Sequence, residues 1–483
     1  MNGAHVEHLS PDDLLPSAKA LRAGGGRMQF AYAWSPAENA PEVRYVAAIP
    51  GQRPFRTWAV AGRRELPSLT PVLPLLGWYE REMMDLQGLV FEGHPEPYPL
   101  IPGFGDGVRN VAGDGNGAPH LPDLDAIDVQ RLPYGPIRAD VLESAEFTFL
   151  YVGEHIIHYH PRLFFKHRGM ESCFEGADPV RGAIIAERVS AVGSVAHSLA
   201  FCEAVERAAD CDPPPRAKAL RALLAELERL YNHLHYLGHL CHTTTLKVGE
   251  AQGKLLEETA KQLNARLSGG RFLRGLLTPG GLRRDLDPGQ WLGDALEKLR
   301  EDFVAYAERL ETTESHLDRL ITTGILPERV AFDQGAAGPV ERASGLDRDL
   351  RRDHPYAAYA DLPVKVPVRK EGDAYARQRV RTAEIEASFA LCQRVLLLLE
   401  AGPVKAECRP APSTEGLGWA EGPRGSVFYA IHIGADGRLA RVKIKSPSFS
   451  NWRAFPFTVH DSNMMDYAIN EASFGLTMAG CDR

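Results

Sequence analysis

Paired cysteines are what this sequence lacks most plainly. Its 483 residues hold seven cysteines, at positions 173, 202, 211, 241, 392, 408 and 481, and no two are three apart. That spacing excludes a zinc ribbon, and an odd, scattered set excludes a disulfide framework. The pattern is that of reduced thiols, most of them packed as small core residues. A run of about 18 apolar residues is also missing, so no membrane-crossing helix is expected. The start, Met1 to His8, offers no basic stretch followed by an apolar one, so no secretory leader is expected. Basic excess is absent too, and a net charge of −8 argues against nucleic acid as a main partner. What remains is an ordinary globular composition, 24% charged and 44% hydrophobic, in a chain long enough for two or three domains.

Segments 28–34, 43–49 and 55–60 read as strands by their period and their aromatic or β-branched content, and 71–86 reads as a helix. Together they predict a small α+β domain over 1–104. Residues 105–131, rich in Gly, Pro, Asn and Asp, read as a linker. The remainder, 132–483, opens with a strand at 146–152 and turns helical from about 180. Pro213-Pro214-Pro215 introduces a long helix whose Leu220, Leu223, Leu224, Leu227, Leu230, Tyr231, Leu234 and Leu237 form one stripe at 3.6-residue spacing. Further helices are predicted near 252–268, 288–322 and 376–400. A hairpin joins 427–433 to 439–444 through Asp436-Gly437. The fold class is α+β: a small N-terminal α+β domain, then a helical bundle with peripheral β-strands.

Several segments carry a family resemblance. Trp78-Tyr79-Glu80-Arg81-Glu82, with Asp85, Gly88, Phe91, Gly93, His94 and Pro95, resembles the accessory hydrophilic subunit of complex I that flanks the quinone-site subunit. Gly153-Glu154-His155-Ile156-Ile157, His167-Arg168-Gly169-Met170-Glu171 and Leu227-Glu228-Arg229-Leu230 with His233 follow. Then come Gly280 to Leu286, Arg342-Ala343-Ser344-Gly345, Asp353-His354-Pro355-Tyr356, Glu421 to Gly425 and Lys445 to Trp452. In this order they resemble the large subunit of energy-converting, formate hydrogenlyase-type NiFe hydrogenases, which is homologous to the quinone-site subunit of complex I. In that family the accessory domain is fused ahead of the large subunit, as here.

The resemblance implies a Cys-x-x-Cys pair at each of two places. Here those positions read Ser190 and Gly193, then Thr477 and Gly480. Nickel and low-spin iron need soft thiolates, and a hydroxyl is harder and far less acidic than a thiol, whose free pKa is about 8.5. Four replacements leave no metal cage. Cys481 is displaced by one residue, and on an extended segment its side chain points away. By the same resemblance, Arg138 stands where complex I has a quinone-site His, and Ala191 near its Tyr. The quinone headgroup ligands are therefore not kept, and a quinone held by other groups stays open.

His167 and Arg168 resemble the pair that faces the terminal iron–sulfur cluster of the neighbouring small subunit, where a fixed positive charge raises the cluster potential; a structural ion pair is the alternative. Glu171, Asp482 and Arg424 surround the altered pocket by resemblance, as a proton relay if burial raises a carboxyl there, or as buried ion pairs. His235, His239 and His242 share one helix face, a spacing that suits either zinc or a polar rim. His155, His158 and His160 lie close together on or just after a strand and read as exposed.

The resemblance implies a subunit of a membrane-associated, complex I-like, hydrogenase-related oxidoreductase without NiFe chemistry of its own. It would couple electron transfer or conformational change to ion translocation. Partners would be an iron–sulfur small subunit and antiporter-like membrane subunits, with the chain cytoplasmic and peripheral on the inner face of the cell membrane. NAD and quinone binding are expected of the assembly, and no cofactor is expected to be bound by this chain. Two alternatives stand beside it: a quinone-reducing NADH dehydrogenase-like subunit with an atypical pocket, and a structural or assembly subunit with no redox role.

Overall fold

The computed structural model of the chain describes residues 5–35, 41–53, 55–102, 128–137 and 143–483. Arg138 and residues 105–127 of the expected linker lie outside the described residues.

The N-terminal unit is a four-stranded sheet in the order β1 (His5–His8), β4 (Arg56–Ala61), β3 (Glu42–Ala48) and β2 (Arg27–Trp34), with β1 parallel to β4 and the other pairs antiparallel. Between β1 and β2 runs α1 (Pro11–Ala23), which the sequence pattern does not announce. Pro11 at its start and Pro16 within it read as punctuation, yet Ser10 caps it by accepting from the Asp13 amide at 3.2 Å. A short parallel pair, β5 (Glu65–Pro67) and β6 (Val90–Glu92), brackets α2 (Gly77–Gln87). The helix expected from 71 starts only there, after a 3-10 turn at Pro74–Leu76.

The larger part begins with β7 (Gln130–Tyr134), β8 (Glu146–Val152) and β9 (His155–Arg162), paired in sequence and closed at the far edge by a two-residue strand, Ser462–Asn463. The helices follow: α3 (Pro179–Ala186), α4 (Ser194–Ala208), α5 (Pro215–Thr243) and α6 (Lys247–Ser268). The predicted 288–322 helix is two, α7 (Gly289–Thr312) and α8 (Glu314–Leu320), broken where Thr313 turns to ψ 92°. Three short helices, α9 (Glu328–Gln334), α10 (Pro339–Ala343) and α11 (Leu350–Asp353), precede α12 (Ala374–Leu398).

The leucine stripe of α5 is buried as its spacing predicts, and so are paired charges on the same helix: Glu226 with Arg351 at 3.0 Å and Arg229 with Glu384 at 3.5 Å. Buried charge is tolerated when it is matched in this way. Helices α5 and α6 cross at Gly238 and Gly253, where a Cβ on Gly253 would meet Gly238 Cα at 2.6 Å.

The predicted hairpin is the second half of a three-stranded sheet, β10 (Glu415–Gly422), β11 (Gly425–Ile433) and β12 (Leu439–Lys445). Its edge strand β10 lies directly on α4: Cβ atoms at Gly416 and Gly418 would fall 2.0 Å from the Ala204 and Ala200 carbonyls. The chain closes with α13 (Pro447–Ala454), α14 (Tyr467–Phe474) and α15 (Met478–Cys481). One continuous hydrophobic core joins the two parts through Phe30 against Phe428 (5.7 Å), Phe55 against Trp419 (4.9 Å) and Tyr79 against Phe449 (4.8 Å). No helix among the described residues is long and apolar enough to cross a membrane.

Candidate functional site

The fold brings the two altered motifs together. Ser190 and Gly193 sit in the tight turn that leads into α4, and Thr477 and Gly480 in the turn that forms α15. Ser190, Gly193 and Gly480 line one cavity with His197, Arg424 and Ser448. Its volume is about 20 Å³, the space of roughly one water molecule.

Hydroxyls fill the place. Thr477 Oγ1 accepts from the Gly480 amide at 3.2 Å and lies 3.1 Å from Ser448 Oγ, while Ser446 donates to the Gly480 carbonyl. Thr477 is therefore spent as the N-cap of α15. Cys481 lies on this short helix and not, as expected, on an extended strand. It is fully buried, and burial pushes its thiol well up. The residues present do not fit a nickel–iron centre: the donors are hydroxyls already engaged, and the neighbouring thiol is held protonated.

Two carboxylates hold the first amides of each motif helix. Glu228 accepts from Val195 N (2.7 Å) and Ala196 N (2.9 Å) at the start of α4. Glu143 accepts from Met478 N (2.6 Å) and Ala479 N (2.9 Å) at the start of α15. These amides have no partner within their own helices, so an acceptor from elsewhere is required. Burial raises the Glu228 carboxyl to about 7 even against both amides.

Arg168 ties the two motifs to each other, donating to the carbonyls of Arg188 (3.1 Å), Val189 (2.5 Å) and Ala479 (2.8 Å). It makes backbone contacts rather than the salt bridge considered above. Its side chain is exposed, as are Arg188 and Arg274, so a cationic rim borders the motifs. His167 Nδ1 lies 3.2 Å from the Asp482 carbonyl, and burial lowers its pKa. The Asp482 carboxylate accepts from Phe164 N (3.1 Å) and Lys166 N (3.0 Å), and burial raises it to about 6.

Glu171 is different. Burial would raise its carboxyl, but Lys443, Arg441 and Arg483 prevail and hold it well below the usual range. Arg441 Nη2 lies at 2.9 Å, Lys443 Nζ at 3.0 Å and Arg483 Nε at 3.2 Å. Glu171 is a fixed anion in this cluster, which runs against the relay reading and matches the buried ion pair weighed beside it. Arg424 donates to the Gly475 carbonyl (2.7 Å) and to Asn232 Oδ1 (2.6 Å), and Asn232 in turn donates to the Val192 carbonyl (2.8 Å). Arg424 is thus a tie between the motifs, and burial lowers it to about 10.

His197 is a site residue that the sequence reading does not single out, although it lies four residues after Gly193 and so on the same side of the turn and helix. Its Nδ1 is 2.9 Å from Tyr429 Oη, and burial with the charges of Arg168 and Arg483 pushes it down to about 3. Ala191 is exposed and offers no headgroup ligand. The rings of His235, His239 and His242 stack in parallel at 6.1 and 6.2 Å, and the outer two bond to Glu257 and Glu250. Among the described residues no group of three or more His, Cys, Asp or Glu is placed to hold a metal ion. His155 is exposed, whereas His158 and His160 are half-buried and have lowered pKa values from burial, correcting the expectation of exposure for those two.

Comparison with known proteins adds three family matches. The 30 kDa subunit of respiratory-chain NADH dehydrogenase matches residues 8–102, and the 49 kDa subunit matches 256–414 and 407–483. The nickel-dependent hydrogenase family matches 168–268. Formate hydrogenlyase subunit 5 of Escherichia coli is 31% identical over 427 residues, covering 84% of this chain and 75% of that protein. Hydrogenase-4 component G of Escherichia coli is 30% identical over 427 residues, covering 84% and 74%. Among solved structures, a chain of the membrane-bound sulfane sulfur reductase, an archaeal respiratory membrane complex, shares the fold. Its TM-score is 0.69 at 24% identity, over 74% of this chain and 99% of that one.

Proposed function

The chain belongs to the large-subunit family of complex I-related, formate hydrogenlyase-type NiFe hydrogenases, and from that membership we propose that it works as a non-hydrogenase subunit of a membrane-associated, complex I-like oxidoreductase. The observation that carries the proposal is the pair of motif turns. The scaffold that presents four ligand positions is intact, while Ser190, Gly193, Thr477 and Gly480 leave no thiolate and a space of about 20 Å³.

On this reading the pocket's work is done by its own groups. Arg168 and Arg424 lock the two turns together, and the exposed arginines present positive charge to an iron–sulfur small subunit bound on that face. A cluster there would have its potential raised by a fixed cation nearby. Asp482, raised to about 6, can exchange a proton in the physiological range, where Glu171 cannot. A change of cluster charge would be felt at these turns and passed on to membrane subunits that move ions. Attachment to the membrane surface is through those partners. The space between the turns, about 20 Å³, is too small for a quinone headgroup.

The test is metal, quinone and subunit analysis of the complex purified from membranes through a tag on this chain. Iron without nickel, together with an iron–sulfur subunit and membrane subunits, is expected. Stoichiometric nickel with hydrogen-dependent dye reduction would overturn the proposal. Bound quinone in stoichiometric amount would move the function to quinone reduction.

A further inference from the structure

Between the N-terminal unit and the large part lies a second cavity, of about 640 Å³, that shares no lining residue with the space at the motif turns. Its size is that of a small-molecule site. Its floor is formed by the ends of β2, α10, α11, β12 and α13, and its charges do not cancel locally.

Each carboxylate on the lining already has an arginine. Glu341 pairs with Arg27 at 2.9 Å, Asp349 with Arg351 at 2.7 Å, Asp353 with Arg352 at 2.7 Å and Glu421 with Arg342 at 3.0 Å. Of the lining cations left over, two sit beside the Arg27–Glu341 pair. Lys445, only 3% exposed, donates to Ser426 Oγ and lies 5.1 Å from the Phe428 ring centroid. Arg348, half-buried, lies 4.9 Å from the Phe332 centroid. Neither has a carboxylate within ion-pair distance among the described residues. Lys445 has three donors and spends one on Ser426, and Arg348 lines the same cavity with five. Arg453 adds a further buried donor, its Nε, without a partner.

A buried cation without a counter-ion is a cost to folding unless something supplies the charge. Burial and Arg27 push the Lys445 ammonium down to about 7 against Glu341 and Glu421, and burial and the same Arg27 push Arg348 down to about 10 against Glu341 and Asp353. Both line the same cavity. Met28, Ile49 and Leu75 supply apolar wall for the rest of it.

We propose that this interdomain cavity binds a small organic dianion, a phosphate monoester or a dicarboxylate, with Lys445 and Arg348 as its counter-charges. The proposal is independent of the reading of the motif turns.

The test is a binding titration of the full chain with adenosine monophosphate and with succinate, using adenosine and succinamide as uncharged counterparts. Saturable binding of at least one anion is expected, with none for its uncharged counterpart. Affinity should fall at least tenfold in Lys445→Met and in Arg348→Gln. Binding of adenosine monophosphate alone assigns a phosphate site, and binding of succinate alone a dicarboxylate site. Without ligand, Lys445→Met should melt no lower than the parent, because it removes an uncompensated buried charge; should it fail to fold, Arg348→Gln carries the comparison. Failure of both anions to bind, or equal binding by parent and variants, overturns the proposal.

Discussion

Replacing Glu171 by Gln tests whether this carboxylate anchors the fold. In the parent, Glu171 and Glu82 face Lys443, Arg441 and Arg483, two anions against three cations in a buried cluster. Glu171 also accepts from the Ile444 amide at 3.1 Å. Gln keeps the shape and one carbonyl oxygen but leaves one anion against three cations. Breaking a buried pair in this way costs about 3–5 kcal/mol. At roughly 1 °C per kcal/mol for a chain of this size, the melting temperature at pH 7 should drop by about 3–5 °C. The pH dependence has a definite sign. The folded pKa lies below the unfolded value of about 4.3, so the stabilisation is present above that value and is lost as pH falls through the folded pKa. The gap between parent and variant, followed by calorimetry or circular dichroism, should therefore shrink on acidification below about pH 4. A drop under about 1 °C at pH 7, or a gap that widens in acid, would refute the reasoning.

Asp482 should behave oppositely. Its folded pKa of about 6 exceeds the unfolded value of about 3.9, so the stability it contributes is complete below about 3.9 and is lost as pH rises through 6. Asp482→Asn should flatten that part of the melting profile; an unchanged slope counts against the assignment. Glu228→Ala removes the acceptor for two amides of α4 and should cost about 1–3 kcal/mol, with faster hydrogen exchange at Val195 and Ala196. Unaltered exchange there would rule the cap out. Gly253→Ala places a methyl 2.6 Å from Gly238 Cα and should destabilise by about 1–3 kcal/mol, read by denaturant titration. An unshifted midpoint would show that α5 and α6 can separate freely.

The strands and the long helices are legible because each has a period: alternation in β2, β3 and β8, and the leucine stripe of α5. So is the juxtaposition of the two altered motifs, which comes from the resemblance and not from spacing. Strand β10 is not legible. Its sequence, Glu415-Gly416-Leu417-Gly418-Trp419-Ala420-Glu421-Gly422, is rich in the residue strands usually avoid, and only the approach of α4 explains those glycines. The helical turn at Cys481 escapes notice for a related reason: Thr477 sets it by capping it. The resemblance names Glu171 but does not choose between a proton relay and an ion pair. Its partners Lys443, Arg441, Arg483 and Glu82 come from three distant stretches of chain, and no local pattern announces that they meet. The same holds for Lys445 and Arg348.

The contact of α4 with β10 has a mechanical consequence. At Gly416 and Gly418 backbone rests on backbone, with no layer of side chains between to be squeezed or to change rotamer. Ordinary helix–sheet packing has such a layer and absorbs small displacements within it. Here α4 and the three-stranded sheet form a single stiff lever. Its one end is the turn at 190–193, and β12, at the far side of the same sheet, ends on Lys445. A shift imposed at the turn would reach Lys445, on the wall of the interdomain cavity, as a movement of the whole block.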